Sequence, residues 1–168
     1  MKKTAIIYKS LYGAAKFYAE KLSERIDAEI FSLGESSPNF SSFDTVIFVL
    51  PIYAGSITAS KAAAKIIWKL ANKKIIVATV GLTDDEKDLK KAQDKGFPGI
   101  SGIIFSHLPG VVHFDRLGFV HRSMLAMMNA VLKRKEKPTK SEKMFIDNFG
   151  KTAGALCEGS LDAVCELL

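Results

Sequence analysis

The sequence predicts a three-layer α/β sandwich: a five-stranded parallel sheet in the order 2-1-3-4-5, with helices on both faces. Three observations carry this. Between residues 4 and 106, apolar runs of strand length alternate with segments of helical period, the pattern of successive strand–helix–strand units. The strands read as continuous apolar runs, as strands covered on both faces do. Right-handed crossovers among five such strands then favour the doubly wound order.

The elements follow in chain order. TAIIY (4–8) is the first strand, and a helix follows over about 14–26, with Tyr18, Ala19, Leu22 and Ile26 on one face and Lys16, Glu20, Lys21 and Glu24 on the other. AEIFSL (28–33) alternates more, as suits an edge strand. A Ser/Pro/Asn-rich loop (34–42) leads to TVIFVL (45–50), the most apolar strand. Beyond PIYAGSIT a helix is expected over 60–71, with Ala63, Ile66, Ile67 and Leu70 facing inward. KIIVATV (74–80) is the fourth strand, DDEKDLKKAQDK (84–95) a solvated helix, and GIIFS (102–106) the fifth strand. The whole of 1–168 reads as a single domain, with a helical extension after the fifth strand at about 108–140.

Composition excludes several classes. Hydrophobic residues make up 48% of the 168 and charged residues 25%, so the chain is globular and not disordered. The basic start of MKKTAII is interrupted by Tyr8, Lys9 and Ser10 before a secretory apolar region is complete, and no run of about 18 apolar residues spans a membrane. A cytoplasmic protein is expected. Cys157 and Cys165 form no CxxC pair and are read as reduced, mostly buried thiols. His107, His113 and His121 are spaced too irregularly for a metal site, and no nucleophile constellation is present. His107, just after strand 5, reads as a structural histidine, and Arg116 as a partner for Asp115, Glu136 or a carboxylated substrate.

In a sheet of this order the ligand sits beyond the carboxyl ends of the strands, where strand order reverses. That points to three loops: 9–15, 51–58 and 81–85. In the first, KSLYGAAKFYAEKL, the free N–H groups of a helix start suit a phosphate; Gly13 permits close approach, Ser10 offers a hydroxyl, and Lys9 and Lys16 raise the potential. The same residues also serve a plain strand-to-helix corner. PIYAGSIT carries Tyr53 and Gly55, suited to a flat heteroaromatic ring, and VGLTDD places Gly81, Leu82 and Thr83 at the same crevice.

At these residues the chain resembles the flavodoxin-like proteins, and among them the flavodoxin-domain branch that includes the menaquinone-dependent, HemG-type protoporphyrinogen oxidases. IIYKSLYGAAKFYAEKL, FDTVIFVLPIYAGSIT, VATVGLTDDE and HLPGVVHFDRLGF carry the resemblance over nearly the whole length. It implies an FMN cofactor used in electron transfer or as an FMN-dependent oxidoreductase. It also implies site residues: Ser10, Leu11, Tyr12, Gly13, Ala14 and Ala15 at the phosphate, Ile52, Tyr53, Ala54 and Gly55 at one ring loop, and Gly81, Leu82 and Thr83 at the other. Catalytic side chains are not implied; the flavin carries the chemistry. Flavodoxins place hydroxyl residues through the phosphate loop, in a pattern such as Ser/Thr-x-Thr-Gly-x-Thr, whereas Tyr12 and Ala15 stand at two of those positions here. Each missing side-chain bond is worth about 1–2 kcal/mol, so FMN binding is expected to be weakened; the alternatives are a HemG-like protoporphyrinogen oxidase passing electrons to a quinone and a cofactor-free binding or regulatory protein on the same fold.

Charge bears on partners. A net charge of +6 steers the protein toward acidic surfaces or anionic lipid. FVHRSMLAMMNAVL, with Met124, Met127 and Met128, ends in Lys133, Arg134, Lys135 and Lys137. Such a helix either fills a core or touches a membrane surface. The expected partners are a redox protein or a quinone, with peripheral membrane contact through about 117–137 and no nucleic acid.

Overall fold

The computed structural model describes residues 3–35, 38–70 and 72–168. The main sheet contains β1 (Thr4–Tyr8), β2 (Glu29–Ser32), β3 (Thr45–Tyr53), β5 (Lys74–Gly81) and β6 (Ile103–Pro109), parallel in the order β2-β1-β3-β5-β6. This is the expected order. A two-residue strand, β4 (Ser56–Ile57), folds back antiparallel on the end of β3, which the sequence pattern did not indicate.

Register explains the double-sided core. Ile6, Ile47, Ile76 and Ile104 stand side by side across four strands. They face Ala15, Tyr18, Ala19 and Leu22 of α1 (Ala14–Ile26), together with Leu161 and Val164 near α6 (Asp162–Cys165). One position on, Ile7, Phe48, Val77 and Phe105 form the row on the opposite face. That row packs under Ala63 and Ile67 of α2 (Ser60–Ile67) and Ala92 of α3 (Glu86–Gly96). Strands buried on both faces have no polar side, so their sequences do not alternate.

Several boundaries differ from expectation for local reasons. β3 continues through Pro51 to Tyr53; β1 pairing stops at Val49, so the missing proline N–H breaks no ladder bond on that side. α2 ends at Ile67 and tightens into 3-10-type bonds from Lys69 to Ile66 and from Leu70 to Ile67; Ala71, the expected helix end, lies outside the described residues, as do Ser36 and Ser37 of the loop before β3. Asp85 caps α3, its carboxylate accepting from the N–H groups of Lys87 and Asp88, so the helix begins at Glu86. β6 runs to Pro109, which puts His107 inside the strand and not after it.

After β6 comes more than the expected helical extension. β7 (Val111–His113) pairs antiparallel with β8 (Thr152–Gly154). Between them lie α4 (Phe119–Leu132) and α5 (Lys140–Asp147). The thiols are free, but Cys157 is exposed and Cys165 only half-buried, against the expectation that both are mostly buried.

One hydroxyl ties these parts together. Tyr18 is wholly buried; its O–H donates to the Pro109 carbonyl (2.7 Å) and accepts from the Cys157 N–H (2.9 Å). Tyr18→Phe keeps the ring and strands two backbone groups, at about 1–3 kcal/mol for each left unsatisfied. Urea unfolding of this variant should show stability lowered by about 2–6 kcal/mol with an unchanged slope; a change under about 0.5 kcal/mol would show that water replaces the hydroxyl.

Candidate functional site

The loops after β1, β3 and β5 meet at the carboxyl edge of the sheet, beside a cleft of about 330 Å³. The first loop turns from β1 into α1 through Gly13, whose φ of 96° is left-handed. Ser10 Oγ accepts from the Gly13 N–H at 3.0 Å, leaving its own proton to donate outward. Helix α1 has no side-chain cap and no acid in its first turn. The N–H groups of Ala14, Ala15 and Lys16 have no hydrogen-bond partner among the described residues, so the positive end of the helix is open to an anion.

The second loop is the β3–β4 hairpin. Tyr53 pairs with Ser56, and the two residues between, Ala54 (φ 47°) and Gly55 (φ 69°), are both left-handed. Two such residues in a two-residue connection are what a tight hairpin needs. Glycine takes this conformation freely, whereas alanine does so at a cost of about 1 kcal/mol.

The third loop rests on a contact of bare backbone. The Gly110 N–H donates to the Gly81 carbonyl at 2.7 Å, and a β-carbon on Gly110 would stand 2.9 Å from the Gly81 backbone. One on Gly154 would stand 2.2 Å from the Gly110 oxygen. Below them, His107 Nδ1 lies 2.9 Å from Thr79 Oγ1. Burial pushes the His107 pKa below its ordinary value, although backbone hydrogen bonds to Gly81 and Thr83 and the Asp84 charge oppose this. His107 is therefore a neutral prop under the third loop.

Helices α4 and α5 roof the cleft with Leu125, Met128, Leu132, Met144 and Phe145. His121 of α4 reaches across: its Nδ1 bonds the Tyr12 hydroxyl at 2.5 Å, which also accepts from the Gly118 N–H at 3.3 Å. Its ring stacks on Tyr53 at 5.8 Å, and Tyr12 meets Tyr53 edge-on at 6.0 Å. Burial, then the neighbouring Tyr12, raise the Tyr53 pKa to about 12, so its hydroxyl keeps its proton. Asn129 is buried among the inward residues of α4, and its Oδ1 has no partner among the described residues. At the start of α5, Thr139 and Glu142 form a capping box, and the Lys135 ammonium and the Thr139 backbone hold the Glu142 carboxyl below its ordinary pKa.

Of the residues singled out from sequence, Ala14, Ile52, Tyr53, Ala54, Gly55, Gly81, Leu82 and Thr83 line the cleft. Ser10, Leu11, Tyr12 and Gly13 form the turn beside it; the Leu11 side chain is exposed, and that of Ala15 belongs to the core. Sequence reasoning singled out the Met-rich α4 segment but did not place it over the cleft, and it missed Gly110–Val112 and the reach of His121 to Tyr12. Arg116, expected to pair, makes no ion pair among the described residues; Arg122 instead lies over the Phe114 ring at 5.5 Å and donates to the Asp115 carbonyl. Among the described residues there is no cluster suited to a metal ion.

A family model described as a flavodoxin domain matches residues 5–139. The fold is similar to that of a Lactobacillus acidophilus flavoprotein solved in complex with FMN, with TM-score 0.50 and 14% identity, over 66% of this chain and 93% of that one. An archaeal flavodoxin overlaps 86% of this chain and 94% of its own, with TM-score 0.41 and 10% identity. No curated protein sequence matches the chain.

The half-buried, neutral His107 has a pH signature. Its folded pKa lies below its ordinary value of 6.5, so the unfolded chain takes up the proton first as pH falls. The stabilisation is full above about 6.5 and drains away as pH drops below it. Thermal unfolding followed from pH 7.5 to 5 should show a falling midpoint that flattens in His107→Gln. Glu142 has the opposite chemistry and loses its contribution only below about 4.5, outside that window. Parallel curves for parent and variant would remove His107 as the cause.

Proposed function

The chain belongs to the flavodoxin-domain family, and on that premise we propose that it binds FMN in this cleft and acts in electron transfer or as an FMN-dependent oxidoreductase. One observation carries the reading: the uncapped start of α1 opens at Ala14, at the end of a slot formed by the β3–β4 hairpin and the Gly81–Thr83 loop. A dianion at one end of a flat aromatic ring matches that arrangement. The donor set fits the phosphate as well, since the first turn offers free N–H groups and no carboxylate to repel it.

In this reading the N–H groups of Ala14, Ala15 and Lys16 and the Ser10 hydroxyl hold the phosphate. The lack of threonine hydroxyls at positions 12 and 15 matters less than the sequence pattern suggests. Tyr12 is spent on bridging to His121 and Gly118, and Ala15 contributes through its backbone. Ala54, Gly55, Gly81, Leu82 and Thr83 border the ring, and the α4–α5 roof excludes water from it. FMN bound there supplies one- and two-electron chemistry, and the surrounding dipoles tune its potential.

A second reading is favoured by the roof. Five apolar side chains over the cleft suit a flat apolar substrate beside the flavin, such as a porphyrinogen whose electrons pass to a quinone. Photoreduced protein reoxidised by a soluble quinone analogue faster than free FMN supports that reading, and equal rates reject it.

The cofactor assignment is tested by Gly13→Asp, which sets a carboxylate at the phosphate. FMN affinity, read by fluorescence quenching, should fall at least about 100-fold, since like charges in contact cost several kcal/mol. Riboflavin, which lacks the phosphate, should bind parent and variant alike. An unchanged FMN affinity in Gly13→Asp would sink the phosphate site, and failure of the parent to bind any flavin would leave a cofactor-free protein.

A further inference from the structure

Helix α4 carries apolar residues on the side that nothing covers. Val120, Met127 and Val131 recur at seven and then four residues, which places them on one face of the helix. They are 73%, 71% and 63% exposed, and Phe119 at the helix start is 85% exposed. The opposite face, through Leu125 and Asn129, is buried. An amphipathic surface helix would put charge where these residues stand.

Charge is concentrated beside them. Residues 117–151 hold eight lysines and arginines against three acids, so this segment supplies most of the chain's net +6. Arg122 and Lys135 are engaged, the first with backbone carbonyls and the Phe114 ring, the second with Glu142 at 2.8 Å. Lys133, Arg134 and Lys137, directly after the apolar face, are exposed and make no ion pair among the described residues. Lys140 and Lys143 of α5 are exposed as well.

We propose that this face of α4 lies on an anionic lipid bilayer, with Phe119, Val120, Met127 and Val131 in the headgroup–acyl boundary and Lys133, Arg134 and Lys137 among the lipid phosphates. The helix has 14 residues, about 21 Å of length against the roughly 30 Å of a hydrocarbon core, so it lies along the surface and does not cross. Among the described residues no helix is long and apolar enough to cross a membrane. Charge complementarity selects the occupant. A second copy would bring the same cations against these, because a two-fold interface sets each patch on itself, whereas anionic lipid neutralises them. The inference goes beyond the flavin reading and stands whether or not the cleft holds FMN, because its readout is sedimentation.

The full-length chain is mixed with vesicles of phosphatidylcholine alone or with one-third phosphatidylglycerol, at low and high salt, and sedimented. Binding is expected to the anionic vesicles at low salt and to weaken with salt. Lys133→Gln, Arg134→Gln and Lys137→Gln together should lower the affinity by roughly 100-fold. Met127→Glu with Val131→Glu should abolish what remains, with the far-ultraviolet circular dichroism of both variants unchanged. Parent protein that stays in the supernatant with both vesicle types at both salts overturns the proposal. So does a dimer in sedimentation velocity that Met127→Glu dissolves in the absence of lipid binding, which would give the face to a second copy.

Discussion

Three stretches of backbone touch at the floor of the cleft, and nothing larger than a hydrogen fits between them. Gly81 ends β5, Gly110 links β6 to β7, and Gly154 closes β8. Because they meet without side chains, the β7–β8 pair can sit against the carboxyl edge of the main sheet. The segment between those strands, α4 and α5, is therefore delivered over the crevice that a doubly wound sheet leaves open. A methyl group at Gly110 or Gly154 would lift the whole roof. The floor and the roof of the site are thus one structural decision.

The sheet was legible because burial on both faces leaves a strong mark: TVIFVL and KIIVATV have no polar face to confuse the reading, and their order came out as expected. Helix α1 matched from Ala14 to Ile26 because Gly13 marks its start and its buried face repeats at helical spacing. The ends of β3 and β6 were hidden for the opposite reason. Proline and histidine read as breaks, yet Pro51 sits where β1 has already stopped, and His107 is half-buried inside the strand with its Nδ1 bonded to Thr79. The three loops of the site could be placed because topology alone brings them together. The roof could not, since no periodicity in α4 tells which apolar face turns inward. Its contacts with Tyr12 and Tyr53 span more than 60 residues of sequence, and local pattern says nothing about pairs so far apart.

Helix α4 reconciles two readings that the Met-rich sequence left opposed. Met128 turns toward the cleft while Met127, its neighbour, turns away. A helix apolar on both sides is expected between two apolar environments, and here one of them is the cleft. His121 adds a polar bond from this helix to the turn before α1 through Tyr12. Through these contacts α4 touches both the β3–β4 hairpin and the turn before α1.

The Tyr18 hydroxyl has a consequence for how the chain is made. It lies in the first helix, yet its two partners are at residues 109 and 157, and the core beside it is filled by Leu161 and Val164. A chain emerging from the ribosome can pair β1 with β2 and β3 early, because those contacts are near in sequence. Its first helix must then wait, with the Tyr18 hydroxyl still in water and one flank of the core open, until residue 164 has left the tunnel. At about 5–20 residues per second that delay lasts on the order of ten seconds. Over that interval the nascent chain exposes apolar sheet surface that α1, Leu161 and Val164 later cover.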